Sequence, residues 1–258
     1  MVGTELSVDT KVGCQGCRNS EPLPFDFTMA FHPIVDLDRG TVWGYEALVR
    51  GTQGQSAGQI LSQVDEHLQY KFDQACRVKA IELAGRLFPR TEETRLSINF
   101  MPNAVYEPAA CIRTSLESAR RVGFDARRIM FEFTENERMA DTKHVARIIA
   151  EYKRLGFITA IDDFGAGHAG LNLLANFQTD LIKIDMEIIR GITDSAARRA
   201  IIAGILVMAR ALDITVIAEG IETNAELATL RGAGISLFQG FLFARPAVES
   251  LPVVPLVA

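Results

Sequence analysis

Six apolar runs in the chain end in, or enclose, acidic, amide or lysine side chains: Tyr45-Glu46-Ala47-Leu48, Ser97-Ile98-Asn99-Phe100, Phe131-Glu132-Phe133-Thr134-Glu135, Ile161-Asp162-Asp163-Phe164-Gly165, Leu181-Ile182-Lys183-Ile184-Asp185 and Ile217-Ala218-Glu219-Gly220-Ile221-Glu222. An ionised carboxylate in apolar surroundings persists only beside a compensating cation or partner. Carboxylate and amide oxygens without cysteine or a histidine cluster suit hard cations, so the pattern points to magnesium or manganese before zinc. Successive intervals from Glu46 through Asn99, Glu132, Asp162 and Lys183 to Glu219 are 53, 33, 30, 21 and 36 residues. Most match one strand-helix repeat, and the first leaves room for an added helix. A barrel of parallel strands would bring such strand ends together on one face.

The elements that must position these groups follow from the hydrophobic pattern. A chain of 258 residues, 48% hydrophobic and 23% charged, suits one large domain with a sizeable core. Thr28 to Leu37 and Thr41 to Val49 read as strands around the turn Asp38-Arg39-Gly40, which favours an antiparallel hairpin. Helical periodicity covers Ile60 to Leu87, with a break near Gln69, and a strand at Arg95 to Phe100 precedes a helix near Ala109 to Val122. Strands at Ile129 to Phe133, Ile158 to Asp162, Leu181 to Ile184, Thr215 to Ala218 and Ser236 to Phe238 then alternate with helices at Thr142 to Leu155, near Leu171, at Ser195 to Leu212 and at Asn224 to Arg231. Gly123, Gly156 and Gly232 are placed to cap helix C-termini. Residues 1–26 read as a polar, flexible leader, 27–247 as the functional domain and 248–258 as a tail.

The net charge of −5 gives no footprint for duplex nucleic acid, so an anionic ligand needs local help from metal ions, Arg50 and Lys183. No apolar run reaches membrane-spanning length and no signal peptide is evident, which sets the expectation of a cytoplasmic protein without membrane insertion. Cys14-Gln15-Gly16-Cys17 could bind zinc or cycle as a redox pair, but no second pair follows at zinc spacing. Cys76 and Cys111 read as ordinary small core residues.

With these residues in view, the chain resembles EAL-domain cyclic di-GMP phosphodiesterases over roughly Phe27 to Ala247. Seven ordered motifs carry the resemblance: Glu-Ala-Leu-x-Arg ending at Arg50, Asn-Phe-x-Pro from Asn99, Glu-Phe-Thr-Glu from Glu132, Asp-Asp-Phe-Gly from Asp162, Lys-Ile-Asp from Lys183, Ala-Glu-Gly-Ile-Glu from Ala218 and Gln-Gly-Phe from Gln239. The resemblance implies a TIM-like (β/α)8 barrel with an antiparallel first strand, and hydrolysis of cyclic di-GMP to linear pGpG with two Mg2+ or Mn2+ ions. It implies that Glu46, Asn99, Glu132 and Asp162 hold the first ion, and that Asp162, Asp163 and Glu219 serve the second. Glu46, Lys183 and Glu219 are the expected catalytic groups, with Lys183 orienting water or phosphate and Glu219 able to act as a general base. Substrate contacts are expected from His32, Arg50, Asn99, Asp163, Lys183, Glu222 and Gln239. Glu135 is the expected anchor of the loop after Asp163, and Asp185 reads as structural.

Two departures from the family pattern stand out. Phe31-His32-Pro33-Ile34 replaces Tyr-Gln-Pro-Ile, which puts a titratable ring where the family has a neutral amide. Gly167-His168-Ala169-Gly170-Leu171 replaces Gly-Tyr-Ser-Ser-Leu and removes hydroxyls from the loop. Calcium is expected to bind yet support little hydrolysis, because its bonds are longer and its geometry looser. The rival readings are a receptor that binds cyclic di-GMP without cutting it and acts through a protein partner, and a magnesium enzyme of the enolase kind. The second would need a capping domain larger than a 26-residue leader. A homodimer is expected through helices near the metal-site loop, with regulatory input from the leader, self-association or another protein.

Overall fold

The computed structural model describes residues 22–89, 93–134, 141–167 and 169–255. Eight strands close into a barrel: β1 (Phe27–Asp36), β2 (Thr41–Gly51), β3 (Arg95–Asn99), β4 (Ile129–Thr134), β5 (Ile158–Phe164), β6 (Leu181–Ile184), β7 (Thr215–Ala218) and β8 (Leu237–Gln239). Neighbours from β2 to β8 pair in parallel and in chain order, and β1 completes the circuit antiparallel to both β2 and β8. This is the TIM-like barrel with a reversed first strand that the motifs imply. The outer layer comprises α1 (Ala57–Leu61), α2 (Gln69–Leu87), α3 (Pro108–Cys111), α4 (Arg113–Val122), α5 (Thr142–Arg154), α6 (Gly170–Asn176), α7 (Met186–Ile189), α8 (Ala196–Ala211) and α9 (Asn224–Ala233). No helix among the described residues is long and apolar enough to cross a membrane.

The strand period of two builds the site directly on the core. Ile34, Met130, Ala160, Leu181, Ile217 and Leu237 form a separate apolar cluster, with Trp43 and Ile158 packed against it. In the parallel strands, two residues further along come Glu132, Asp162, Lys183, Glu219 and Gln239; in the reversed β1 the order inverts, and His32 precedes Ile34 by two. A dry floor therefore closes the barrel below, and the next layer toward the C-terminal strand ends is polar. The intervening residues, Phe131, Ile161, Ile182 and Phe238 among them, belong to the larger cluster between barrel wall and helices.

Helix boundaries follow local chemistry. Ser195 accepts from Arg198 N–H to open α8, Thr223 and Glu226 form a capping box at α9, and Gly123 closes α4 in the left-handed region at φ 69°. The expected cap at Gly232 is corrected: that residue lies inside α9, and Gly234, at φ 99°, ends the helix. The helix expected near Ala109 to Val122 is split at Ile112 into α3 and α4. Two short elements, α7 and β9 (Ala247–Val248), had no sequence signal because neither is long enough to show a period. Strand β9 crosses the boundary expected at 247, pairing Val248 with Ala30, and Glu249 accepts from Thr28 Oγ1 at 2.6 Å and Arg86 Nη2 at 3.0 Å. Leu23 and Phe25, from the expected leader, pack against the core, with Phe25 6.0 Å from Phe72 between ring centroids. Residues 1–21, including Cys14 and Cys17, fall outside the described residues.

Gly240 follows the site residue Gln239, and a Cβ there would lie 2.2 Å from Ile221 O and 2.3 Å from Ile221 N. Because backbone cannot yield as a side chain tip does, Gly240→Ala should destabilise by about 1–3 kcal/mol. Gly204→Ala, in α8 with open space around it, should stabilise by up to about 1 kcal/mol. Urea unfolding of both variants tests the contrast; equal midpoints would contradict it.

Candidate metal centre and substrate cleft

One ammonium organises the polar layer. Lys183 is fully buried on β6, and its Nζ lies 2.6 Å from Glu219 Oε1, 3.0 Å from Asp162 Oδ1, 3.2 Å from Glu132 Oε1 and 3.5 Å from Glu46 Oε2. Each carboxylate comes from a different strand or strand end, so the barrel's closure sets these distances. Asn99 Nδ2 donates to Glu46 Oε1 at 2.9 Å and Gln239 Nε2 to Glu46 Oε2 at 2.8 Å. A carboxylate can only accept, which fixes the orientation of both amides. Gln239 Nε2 also lies 3.0 Å from His32 Nδ1, so that ring nitrogen is the acceptor and the proton sits on Nε2.

The electrostatics are lopsided. Burial would raise Glu46, yet the Lys183 ammonium and the two amide donors hold its carboxyl down at about 2. For Glu132, Asp162 and Glu219 burial prevails, and the neighbouring carboxylates push in the same direction, so all three rise above the ordinary carboxyl range despite Lys183. Asp163, half-buried and in a left-handed backbone conformation at φ 53°, rises to about 7 through burial and the nearby Asp162 and Asp185. Lys183 rises well above its ordinary value: burial opposes its charge, but Asp162, Glu132, Glu219 and Glu46 together outweigh that cost. Four carboxylates thus converge on one buried ammonium, with Asp163 as a fifth beside Asp162.

That excess is what a divalent cation would neutralise. Carboxylate oxygens of Glu46, Glu132 and Asp162 lie within 4.8 Å of one another, and so do those of Asp162, Asp163 and Glu219. The two triads share Asp162. The donors are all oxygen, so the residues present fit hard divalent cations, which either triad could hold.

The triads open into a cleft of about 410 Å³ at the C-terminal ends of the strands. Of the residues singled out in the sequence, His32, Glu46, Arg50, Asp162, Asp163, Glu219, Glu222 and Gln239 line it. Glu132 and Lys183 lie beneath, and Asn99 borders both Glu46 and a separate cavity against α1 and α2. Arg50 Nη1 donates to Val49 O at 2.7 Å. Glu222 is paired with Arg190, and its N–H donates to Glu226 Oε2 at 3.2 Å. Asp185, read as structural, caps α7 by accepting from Glu187 N–H at 2.7 Å and also lines the cleft. Glu135 and His168 fall outside the described residues. Sequence reasoning passed over Met186, Phe241 and Pro246 in the cleft wall. Phe241 stood within the quoted Gln-Gly-Phe motif, and Arg245 stacks on it at 4.2 Å.

Comparison with known proteins agrees with this geometry. A family model described as EAL domain matches residues 25–246. The crystal structure of a standalone versatile EAL protein from Vibrio cholerae O395, in its c-di-GMP bound form, superposes with TM-score 0.87 at 53% identity, over 90% of this chain and 97% of that one. The blue light- and temperature-regulated antirepressor BluF of Escherichia coli is 33% identical over 87% of this chain and 55% of its own length. Cyclic di-GMP phosphodiesterase NbdA of Pseudomonas aeruginosa is 32% identical over 84% of this chain and 28% of its own length. The chain therefore spans about half or less of the curated relatives it matches.

Asp163 gives this site a pH signature. Its folded-state value of about 7 exceeds the ordinary 3.8, so the native state binds the proton first and this group's destabilising effect grows as pH rises between those values. In metal-free buffer Asp163→Asn should raise stability relative to wild type at pH 7, and the difference should vanish near pH 4. Urea midpoints for both proteins across that range test it; a difference that grows on acidification would refute the burial effect.

Proposed function

The chain belongs to the EAL-domain family, and on that premise we propose that it hydrolyses cyclic di-GMP to linear pGpG with two divalent ions, magnesium or manganese. The observation that carries the reading is the pair of oxygen-donor triads sharing Asp162 above a buried lysine. Glu46, Asn99, Glu132 and Asp162 would hold one ion, and Asp162, Asp163 and Glu219 the other. Such ions supply electrostatic stabilisation of the phosphodiester oxygens and make water a better nucleophile at neutral pH. The protein's own groups do the rest. Lys183 restrains four carboxylates from below, which keeps them oriented before substrate arrives. Glu219 Oε1 faces Lys183, leaving Oε2 to accept a proton from the attacking water. Arg50 stands on the cleft wall where a phosphate would lie, and the His32 and Gln239 pair offers polar atoms to the ligand.

The functional unit in this reading is residues 27–247, in a cytoplasmic protein. Self-association as a homodimer is part of it, supported by Leu171 on α6, which is 67% exposed beside the loop that follows Asp163. A second reading, a non-hydrolysing receptor acting through a protein partner, draws support from the relative described as an antirepressor. The full set of oxygen donors favours hydrolysis, since a receptor has no use for the second triad.

Incubation with cyclic di-GMP and Mn2+ or Mg2+, followed by chromatography, should yield pGpG. Glu46→Ala should reduce turnover by at least about 100-fold while leaving the fold intact, because it removes an oxygen donor and Lys183 keeps three other partners. Calcium should bind but give little product. Unchanged cyclic di-GMP with tight binding would favour the receptor, and retained turnover in Glu46→Ala would sink the ligand assignment.

His32 supplies a separate pH test. Burial holds its ring below the ordinary 6.5 despite Glu46, so it is neutral at pH 7. The change in ligand affinity expected around the ordinary histidine value therefore moves lower, and cyclic di-GMP binding measured in calcium should alter only below about pH 6.5. His32→Gln should flatten that curve; superimposable curves would remove His32 from the ligand contacts.

A further inference from the structure

Behind the cleft, outside the barrel wall, α2 buries an ion pair that the chemistry above does not use. Arg77 is fully buried and Asp73 is 3% exposed. Arg77 Nη2 lies 2.7 Å from Asp73 Oδ2, and its Nη1 donates to the Tyr152 hydroxyl of α5 at 2.7 Å. The guanidinium sits over the rings of Phe100, Phe131 and Tyr152 at 5.3, 5.2 and 6.0 Å. Phe100 follows Asn99 and Phe131 precedes Glu132, so each ring points outward from a strand whose next or previous side chain points into the site. Asn99 and Glu132 are register partners of the β3–β4 ladder, and Phe100 N–H donates to Glu132 O at 2.9 Å. Beyond that bond β3 has ended, and the next anchor of its chain is Met101 N–H donating to Asp73 Oδ1 at 2.9 Å.

We propose that Asp73, Arg77 and Tyr152 are positioning residues that brace the ends of β3 and β4 from outside and so hold Asn99 and Glu132 in place for the first ion. The inference rests on the metal-dependent reading of the cleft. A buried ion pair is a poor choice for stability alone, because well-packed apolar residues of similar volume serve as well or better. What it adds is direction: the planar guanidinium fork fixes Asp73 and Tyr152 relative to each other, and Asp73 in turn fixes the backbone two residues after Asn99. Asn99 occupies the last position of β3, and past Phe100 its chain is held by the Met101–Asp73 bond rather than by the ladder. Groups that orient a metal ligand without touching the metal commonly change affinity by about 10- to 100-fold when lost.

The test uses the full chain and Mn2+ itself as the probe. Mn2+ affinity is measured by calorimetry, unfolding by heat, and hydrolysis by product formation, for wild type, the volume-matched double variant Asp73→Leu/Arg77→Met, Tyr152→Phe, and Gly85→Ala. Gly85 lies in α2 away from the brace, and a Cβ there would crowd Val122 Cγ2 at 2.5 Å, so it lowers stability without touching Arg77. The double variant should fold, bind Mn2+ about tenfold or more weakly, and lose kcat at limiting Mn2+ with little change in KM for cyclic di-GMP. Tyr152→Phe should show a smaller loss in the same direction, and Gly85→Ala should bind as wild type does. Wild-type Mn2+ affinity in a folded double variant overturns the proposal; should that variant not fold, wild-type affinity in Tyr152→Phe overturns it equally. Equal weakening in Gly85→Ala also overturns it, by making the effect one of stability. A wild type that binds no Mn2+ overturns the metal-dependent reading itself, and the brace with it.

Discussion

A single buried ammonium among four carboxylates is the constraint on which the rest of this barrel depends. Lys183 is fully buried and answers to four carboxylates, which also draw on the amides of Asn99 and Gln239. In a low-dielectric interior such an imbalance stands only if every partner is held at hydrogen-bond distance and some carboxyls take protons or face a cation. The barrel meets the first condition through closure, since Glu46, Glu132, Asp162 and Lys183 lie on four strands whose spacing no single helix or loop can adjust. The cleft meets the second by exposing Asp162, Asp163 and Glu219 along its wall, where a cation could reach them.

Much of this was legible in the sequence because a strand has a short period and parallel strands end on one face. Charged residues set in apolar runs at strand-helix intervals pointed to one rim, and the resemblance to the family implied Asp162 as the shared ligand there. Sequence reasoning could not see that Glu132, Asp162, Lys183 and Glu219 each stand two positions along the chain from a floor residue. Met130, Ala160, Leu181 and Ile217 are unremarkable as letters and acquire meaning only when the barrel closes. Gly232 and Gly234 differ by half a turn of helix, too little for an unaligned pattern to resolve. Elements of two to four residues, α7 and β9, carry no period at all. The Asp73 and Arg77 pair was hidden for a different reason: acid and base four apart on a helix read as a solvated surface pair, and here both are buried beneath aromatic rings.

The two departures from the family motifs have different fates in the fold. His32 enters the polar layer itself, where Gln239 engages one ring nitrogen and burial keeps the ring neutral, so it can do the work of an amide. The neutral histidine thus preserves the hydrogen-bonding character of the position it occupies. Of the second departure, Ala169 and Gly170 fall where α6 begins, and His168 lies outside the described residues.

The reversed first strand settles where polypeptide enters and leaves. In a barrel whose strands all run one way, the chain starts at the closed end, remote from the chemistry. Here Phe27 pairs with Gly51 and Val248 with Ala30, so the first and last strands both meet the outside at the open rim. Any sensory or anchoring module tethered ahead of Phe27 or after Glu249 would be delivered to the mouth of the cleft without a long linker, within reach of substrate entry. An inverted strand is thus a wiring decision, one that lets unrelated modules be fused to the same barrel and still act on its traffic.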